Sequence, residues 1–316
     1  LKARSPIVWV SDIRREKEFP NFMVERFLHQ TRAFLKIQDG CDCFCSFCIV
    51  PYARGSSRSM ELIETLNNIR RLKEMGYSEI VLTGAHLSSY GLDLKPSSSI
   101  LELLRRLEEE RLSSRIRLSS LDPNEISDEM IDLIASSELF CHHFHISLQS
   151  GDDGILKRMN RQYDVQTFSD IILRIHNNIP DAALGIDVIA GFPGEGERNF
   201  ENTYNLLQEL PLHYFHVFPF SRRKGTPAAG MNGQVPSQLI QERAQRLREL
   251  GTAKRLFFYR SFLEKKVSVL VENKRDPNTG ALKGYSENYL PIFLEGGDEL
   301  KGSIVSVKLC KMEGNR

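Results

Sequence analysis

Apolar positions along the first two thirds of the chain switch repeatedly between two periods. Short apolar runs that suit strands occur at Phe34-Leu35-Lys36-Ile37, Glu79-Ile80-Val81-Leu82-Thr83 and Arg115-Ile116-Arg117-Leu118, and again at 144–148, 185–189 and 214–218. Between them lie stretches with a 3.6-residue stripe, such as Leu62, Ile63, Leu66, Ile69 and Leu72 in 61–74, which read as helices. Ser59 is the expected N-cap of that helix. Further helices are expected over 99–110, 125–135, 152–159, 165–176 and 197–209. Six strand–helix units in succession predict an α/β fold, a parallel sheet with helices outside it. A partial (β/α)6 barrel is the natural closure, with functional residues at the C-terminal ends of the strands.

After residue 219 the pattern changes. Residues 237–262 read as one long helix. Short strand-like runs follow at 267–271, 290–294 and 304–307, separated by Gly, Asp and Asn turns, as in a small β-barrel. The organisation expected is therefore a linker over 1–31, a partial barrel over 32–236, a connecting helix over 237–263 and a C-terminal β-barrel over 264–316.

The 316 residues carry a net charge of only +1, so bulk charge does not announce a nucleic-acid binder. No apolar stretch approaches membrane-spanning length. The first residue is Leu1 and no signal peptide is evident, so the chain reads as a piece of a longer protein.

Cys41, Cys45 and Cys48 add the chemistry. They lie in Gly40-Cys41-Asp42-Cys43-Phe44-Cys45-Ser46-Phe47-Cys48, spaced by three and then two residues. An ordinary electron-transfer iron–sulfur cluster takes four thiolates. Three leave one iron of a [4Fe-4S] cluster open, and an open iron can chelate the amino and carboxylate groups of S-adenosylmethionine (SAM). A zinc knuckle is the alternative, but it needs a second ligand pair, and none follows soon after Cys48. A disulfide framework suits neither the tight spacing nor the lack of a secretory segment. Thiolate clusters need a reducing compartment, hence a cytoplasmic expectation. Cys43 is expected to point away as a bystander, and Cys141 and Cys310 to be small buried strand residues.

The loops after the strands support a cofactor site. The cysteines follow the first strand, Gly84 the second, Ser119-Ser120 the third, Gln149-Ser150-Gly151 the fourth and Gly191-Phe192-Pro193-Gly194-Glu195 the fifth. Glycine allows close approach of backbone to a ligand or a positive φ, and here glycines recur on one rim.

The run from Gly40 through Cys48 to Pro51-Tyr52-Ala53-Arg54-Gly55-Ser56-Ser57-Arg58-Ser59 resembles the radical SAM methylthiotransferases. So do His143-Phe144-His145-Ile146-Ser147-Leu148-Gln149-Ser150-Gly151, Leu156-Lys157-Arg158-Met159-Asn160-Arg161, Asp187-Val188-Ile189-Ala190-Gly191-Phe192-Pro193-Gly194-Glu195 and Gly225-Thr226-Pro227-Ala228-Ala229. The likeness spans about 32–312. Leu82-Thr83-Gly84-Ala85-His86-Leu87-Ser88-Ser89-Tyr90-Gly91 is most similar to the branch acting on threonylcarbamoyladenosine in bacterial tRNA, and Gly284-Tyr285-Ser286-Glu287-Asn288-Tyr289 resembles the RNA-gripping TRAM barrel. The resemblance implies reductive cleavage of SAM to a 5′-deoxyadenosyl radical, hydrogen abstraction from C2 of an adenine beside the anticodon, and its replacement by a methylthio group. It implies an electron donor such as flavodoxin or ferredoxin. It also implies a second [4Fe-4S] cluster in an N-terminal domain that this chain lacks. Related branches act on isopentenyladenosine or on a ribosomal-protein aspartate, and a cluster-containing RNA-binding module without catalysis is the reading from another class.

From the same resemblance, Cys41, Cys45 and Cys48 ligate the cluster, Phe47 packs near the SAM adenine, and Thr83 and Gly84 present backbone to its methionine end. Ser120, Gln149 and Asp187 are strand-end polar residues suited to the ribose or carboxylate, with turn capping as the plainer alternative. Arg54, Arg58, Arg222, Arg223 and Lys224 are candidates for tRNA phosphates, which position without reading sequence, or else solvated charge. From residue 251 onward 12 Lys and Arg stand against 8 Asp and Glu, a modest excess. Tyr285, Asn288 and Tyr289 suit base stacking or a barrel wall.

Overall fold

A computed structural model describes residues 12–20, 30–312 and 314. The repeats give two parallel sheets. β1 (Ala33–Lys36), β4 (Ile80–Thr83) and β5 (Ile116–Leu118) form one, in that order. β6 (Ser120–Leu121), β7 (His143–Gln149), β8 (Ala183–Ala190) and β9 (Tyr214–Pro219) form the other. Only Ser119 separates β5 from β6, and its amide bonds Leu82 O at 3.0 Å. Ile116 also bridges Phe140, just ahead of β7. β6 lies where the sequence pattern predicts loop. Its two residues pair in parallel with His145 and Ile146 of β7, a tertiary pairing that local sequence does not announce.

Alternation sorts the strand residues into two faces. Leu35, Ile80, Leu82, Ile116, Leu118, Phe144, Ile146, Leu148, Ile186 and Val188 are buried in one large core against the helices. The helices are α2 (Leu62–Glu74), α3 (Ile100–Glu110), α4 (Asp128–Ser136), α5 (Asp153–Arg158), α6 (Val165–Asn178), α7 (Glu197–Glu209) and the 24-residue α9 (Ser237–Arg260), with short α1 (Val50–Arg54) and α8 (Pro227–Gly230) in rim loops. Several begin on side-chain caps: Ser99, Ser127, Asp152 and Asp164 each accept an amide of the first turn, satisfying a donor that would otherwise lack a partner. Ser59 does not cap α2. It lies in β3 (Arg58–Ser59), antiparallel to β2 (Gln38–Asp39), and its hydroxyl donates to Asp93 Oδ1 at 2.6 Å. Strand pairing outcompetes capping there.

The opposite strand faces line an open lumen: Phe34 and Lys36 on β1, Thr83 on β4, Ser120 on β6, His145 and Ser147 on β7, Asp187 on β8, and His216 and Phe218 on β9. Part of this side is closed: Arg117 and His143, on the same face, are buried against Tyr289, whereas Phe34, Lys36, His216 and Phe218 are exposed.

The C-terminal strands β10 (Lys266–Arg275), β11 (Leu282–Ser286), β12 (Pro291–Leu294) and β13 (Ile304–Lys308) form an antiparallel sheet in the order β12-β11-β10-β13. β11 is a strand that the apolar pattern does not predict. Its glycine hides it, yet Gly284 is required there, since a Cβ would sit 2.4 Å from Leu270 O. Phe258 near the end of α9 and Phe262 just beyond it pack with Val269, Leu290 and Ile292. The sheet docks on the parallel strands through buried Glu79, which receives Arg117 Nε at 2.7 Å, while Arg117 Nη1 bonds Glu287 O at 2.8 Å and Arg115 Nη2 bonds Ser268 Oγ at 2.9 Å. Most of the expected linker 1–31 lies outside the described residues. Thr31 is tied to β10, accepting the Asn273 amide at 2.8 Å.

Candidate functional site

The cysteine loop starts where β2 ends. Gly40 has φ +73°, and a Cβ on it would lie 2.0 Å from Ser56 O, so the turn needs glycine. The loop is then held from both sides. Cys41 N bonds Gly55 O at 3.1 Å and Ser46 N bonds Met159 O at 2.9 Å. Asn160 Nδ2 bonds Cys43 O and Phe44 O at 3.2 and 3.1 Å, and Ser46 Oγ bonds Arg158 O at 2.8 Å. The segment after α5 thus fixes the loop's shape.

The Cys45 thiol is buried, and Cys41 and Cys48 are half-buried. Arg161 Nη1 reaches Cys45 Sγ at 3.2 Å and the Val50 amide reaches Cys48 Sγ at 3.4 Å. Arg161 is itself paired with Asp122 and lies over the Tyr163 ring at 4.7 Å. Hydrogen bonding from Cys43, and from His86 against the effect of burial, lowers the Cys41 thiol to about 4. Burial raises Cys48. Three soft thiols on one braced loop, with a guanidinium to offset thiolate charge, are a donor set that fits an iron–sulfur cluster. Cys43 departs from expectation. It turns inward, with Sγ 3.5 Å from His86 Nδ1, and Cys41, Cys43 and His86 hold their ligand atoms within 4.8 Å of one another. His86 Nε2 in turn pairs with Glu125 at 2.9 Å. The left-handed Phe44 (φ +47°) bends the loop, so its side chains do not alternate as in an extended segment.

The residues expected around SAM are spread along this rim and down the lumen. Phe47 packs edge-on against Phe192, ring centroids 6.4 Å apart, beside Ile155, Met159 and Ala228. Thr83 ends β4 and bonds Leu35 O at 3.3 Å. A Cβ on Gly84 would lie 2.8 Å from Gln38 Oε1. Ser120 Oγ lies 3.1 Å from Ser147 Oγ, and Gln149 ends β7 with φ +67°. Asp187 is not at a strand end: it lies midway along β8, with Oδ1 2.8 Å from His145 Nε2 and 3.4 Å from His216 Nδ1. Burial raises its pKa, but the two histidines outweigh that and hold it at about 2. Arg161, His86, His145 and His216 were not singled out from the sequence as site residues. Alternation of histidines on the period-2 pattern of 143–145 and of His216 with Tyr214 was the signal available for the last two.

The RNA candidates divide. Arg222, Arg223 and Lys224 are exposed on the loop after β9, as expected, and Arg54 is exposed while paired with Asp39 at 3.1 Å. Arg58 is buried and donates to Arg54 O at 2.7 Å, so it does not reach a phosphate. Asn288 is buried and bonds Asp181 O at 3.0 Å, a structural role. Tyr285 and Tyr289 stack on each other at 5.1 Å, and Tyr289 packs on Arg117 at 4.6 Å and on His143 at 5.1 Å, at the seam with the parallel strands. Cys141 is buried, just ahead of β7, whereas Cys310 is exposed and beyond β13, because the chain has left the sheet by then.

Residues 35–207 match the family model described as "Radical SAM superfamily". The chain is 38% identical over 313 residues to the threonylcarbamoyladenosine tRNA methylthiotransferase MtaB of Bacillus subtilis strain 168, covering 98% of this chain and 69% of that protein. It is 38% identical over 309 residues to the MtaB of Aquifex aeolicus, covering 97% and 72%. It is also 36% identical over 278 residues to the tRNA-2-methylthio-N(6)-dimethylallyladenosine synthase of Acetivibrio thermocellus, covering 88% and 58%. Among solved structures, coproporphyrinogen III oxidase (HemN) from Escherichia coli, a radical SAM enzyme, is similar in fold, with a TM-score of 0.52 at 17% identity over 72% of this chain and 54% of that one.

Proposed function

We propose a reaction on the premise that the chain belongs to the radical SAM superfamily and, within it, to the tRNA methylthiotransferases: methylthiolation at C2 of threonylcarbamoyladenosine next to the anticodon of tRNA. The observation that carries the reading is the loop of three thiols, Cys41, Cys45 and Cys48, braced at the mouth of an accessible polar lumen. These three would hold a [4Fe-4S] cluster and leave one coordination position for SAM. When bound, the cluster supplies the electron that cleaves the SAM sulfonium and so generates the hydrogen-abstracting species.

The chain's own residues do the positioning. Arg161 offsets negative charge at Cys45. Phe47, on its apolar bed of Phe192 and Met159, offers a flat surface for the SAM adenine, and the Thr83–Gly84 turn offers backbone groups to its methionine end. Ser120 and Gln149 lie between that rim and the lumen. Arg222, Arg223 and Lys224 meet phosphates and hold the anticodon arm over the opening, while the C-terminal sheet adds RNA contacts of its own. A reduced flavodoxin or ferredoxin is the electron donor. The relatives are longer than this chain, which covers 69–72% of the MtaB proteins; the sulfur-handling second cluster belongs to the part beyond it.

Anaerobic reconstitution with iron and sulfide, followed by dithionite and SAM, tests the reading. The expected products are a single four-iron cluster and 5′-deoxyadenosine. Mass spectrometry of tRNA nucleosides from cells lacking the gene should show threonylcarbamoyladenosine without its methylthio group. Zinc in place of iron, or an unchanged methylthio nucleoside in those cells, would reject it.

A further inference from the structure

Asp187 on β8 and His216 on β9 are register partners, and His145 on β7, which pairs with Gly185 two residues before Asp187, lies on the same strand face and reaches the Asp187 carboxylate. Neither the cysteine loop nor the basic loop uses them. Their proton positions follow from their partners. Asp187 is ionised at neutral pH, so its Oδ1 accepts from His145 Nε2 at 2.8 Å, and His216 Nδ1 lies 3.4 Å from the same oxygen. His145 Nδ1 lies 3.0 Å from the Tyr214 hydroxyl. The Tyr214 oxygen also lies 2.7 Å from His143 Nε2. The chain of contacts thus runs from buried His143 through Tyr214 and His145 to Asp187, and the carboxylate sets which nitrogen of the facing ring carries a proton.

It ends at the lumen. The His216 side chain is 57% exposed, against 20% for Asp187 and 9% for His145. With Nδ1 turned toward Asp187 at 3.4 Å, His216 presents Nε2 to whatever occupies the lumen. As a neutral ring it accepts from an N–H. In an imidazolium form the same nitrogen donates to a carboxylate. Two residues further along β9, Phe218 is also exposed on the lumen face, a surface on which a planar base can stack. The same strand then runs into Arg222-Arg223-Lys224. One strand thus joins a phosphate-binding loop, an aromatic face and an oriented imidazole in that order.

The N6 substituent of the target adenine is the part of the substrate that distinguishes the two tRNA branches to which this chain is similar. A threonylcarbamoyl group carries urea N–H groups and a carboxylate. A dimethylallyl group is hydrocarbon, and placed against His216 and Asp187 it would strip water from them without replacing a hydrogen bond, which is costly. We propose that His216, held by Asp187, selects a polar, carboxylate-bearing N6 substituent over an apolar one; this rests on the tRNA methylthiotransferase reading above. Asp187 acts through His216 as its positioning residue.

The test uses the full chain with its cluster reconstituted and two anticodon stem–loop RNAs that differ only in the N6 group, threonylcarbamoyl or dimethylallyl. Affinity for each is measured for the wild type, His216→Phe and His216→Gln. The wild type should prefer the threonylcarbamoyl RNA by about tenfold or more, the scale of one unmatched buried polar group. His216→Phe should remove most of that preference by weakening the polar ligand alone, and His216→Gln should keep much of it. Iron content and thermal midpoint report that each variant is folded and loaded. An unchanged ratio in His216→Phe, or an equal loss for both RNAs, overturns the proposal and leaves the tRNA reading standing. Failure of the wild type to bind either RNA overturns both.

Discussion

The Arg161 guanidinium lies 3.2 Å from the Cys45 thiol, and nothing on the cysteine loop itself supplies such a cation. Arg161 comes from the segment after α5, and Asp122 and the Tyr163 ring hold it in place. Burial works against its charge, and Tyr163, Asp122 and Cys45 preserve it. A fixed cation at a thiolate ligand stabilises the reduced, more negative cluster. Arg161→Gln should therefore lower the cluster's midpoint potential by tens of millivolts, where ~59 mV is a tenfold change in a one-electron equilibrium. Potentiometry followed by electron paramagnetic resonance reads this, and a midpoint equal to wild type would remove Arg161 from redox tuning.

Replacement of Cys41, Cys45 or Cys48 by Ala should abolish the four-iron cluster. Cys43→Ala should retain it, although Cys43 turns toward His86. Iron and sulfide content after anaerobic reconstitution decides the matter. A full complement of iron in Cys45→Ala, or loss of it in Cys43→Ala, would reassign the ligands.

Glu79 is completely buried between Arg117 and Arg115. Both arginines continue to backbone or hydroxyl groups of the C-terminal sheet. Removing one partner of such a pair leaves uncompensated buried charge, at about 3–5 kcal/mol. Glu79→Gln should lower the thermal midpoint by several degrees and loosen the C-terminal sheet. Limited proteolysis should then cut near residue 263 faster than in the wild type. Unaltered cleavage would show that α9 alone anchors that sheet.

His213 is half-buried, stacks on Phe258 at a centroid distance of 3.9 Å, and accepts the Leu184 amide on Nδ1 at 2.9 Å. Burial holds its pKa down to about 3 from an ordinary 6.5. Between those values the unfolded chain binds the proton and the folded one does not, so stability falls as the medium is acidified. The contribution is whole above pH 6.5 and erodes below it, by up to about 1.4 kcal/mol per pH unit. His213→Asn should flatten the fall in thermal midpoint of the cluster-free protein between pH 6.5 and pH 5, and an unchanged slope would place the acid sensitivity elsewhere.

Replacing Arg222, Arg223 and Lys224 together by Ala should weaken tRNA binding and reduce the slope of log affinity against log salt by about 0.7–0.9 for each phosphate no longer neutralised. Tyr289→Ala should act differently. Its ring packs on Arg117, His143 and Tyr285, so the expected effect is a lower thermal midpoint at an unaltered salt slope. A salt slope that moves with Tyr289 and not with the basic loop would reverse these assignments.

The sequence by itself determined the cluster chemistry and the class of the fold. The spacing of Cys41, Cys45 and Cys48 is local, and so is the switching between two-residue and 3.6-residue periods. Both are written in consecutive residues, so no knowledge of distant neighbours was needed to read them. The tertiary structure decided which residues surround them. Arg161 meets Cys45 across 116 positions of chain, and His145, Asp187 and His216 meet only because β7, β8 and β9 pair side by side with these residues on one face. Arg58 and Asn288 looked like exposed polar residues, and packing buried them; Ser59 looked like a cap, and pairing with β2 drew it into a strand. Charge and polarity in a linear sequence carry no record of which face a residue will occupy. That is set by strand register and by the two unequal sides of the sheets, one packed by helices and one carrying the polar side chains of the site.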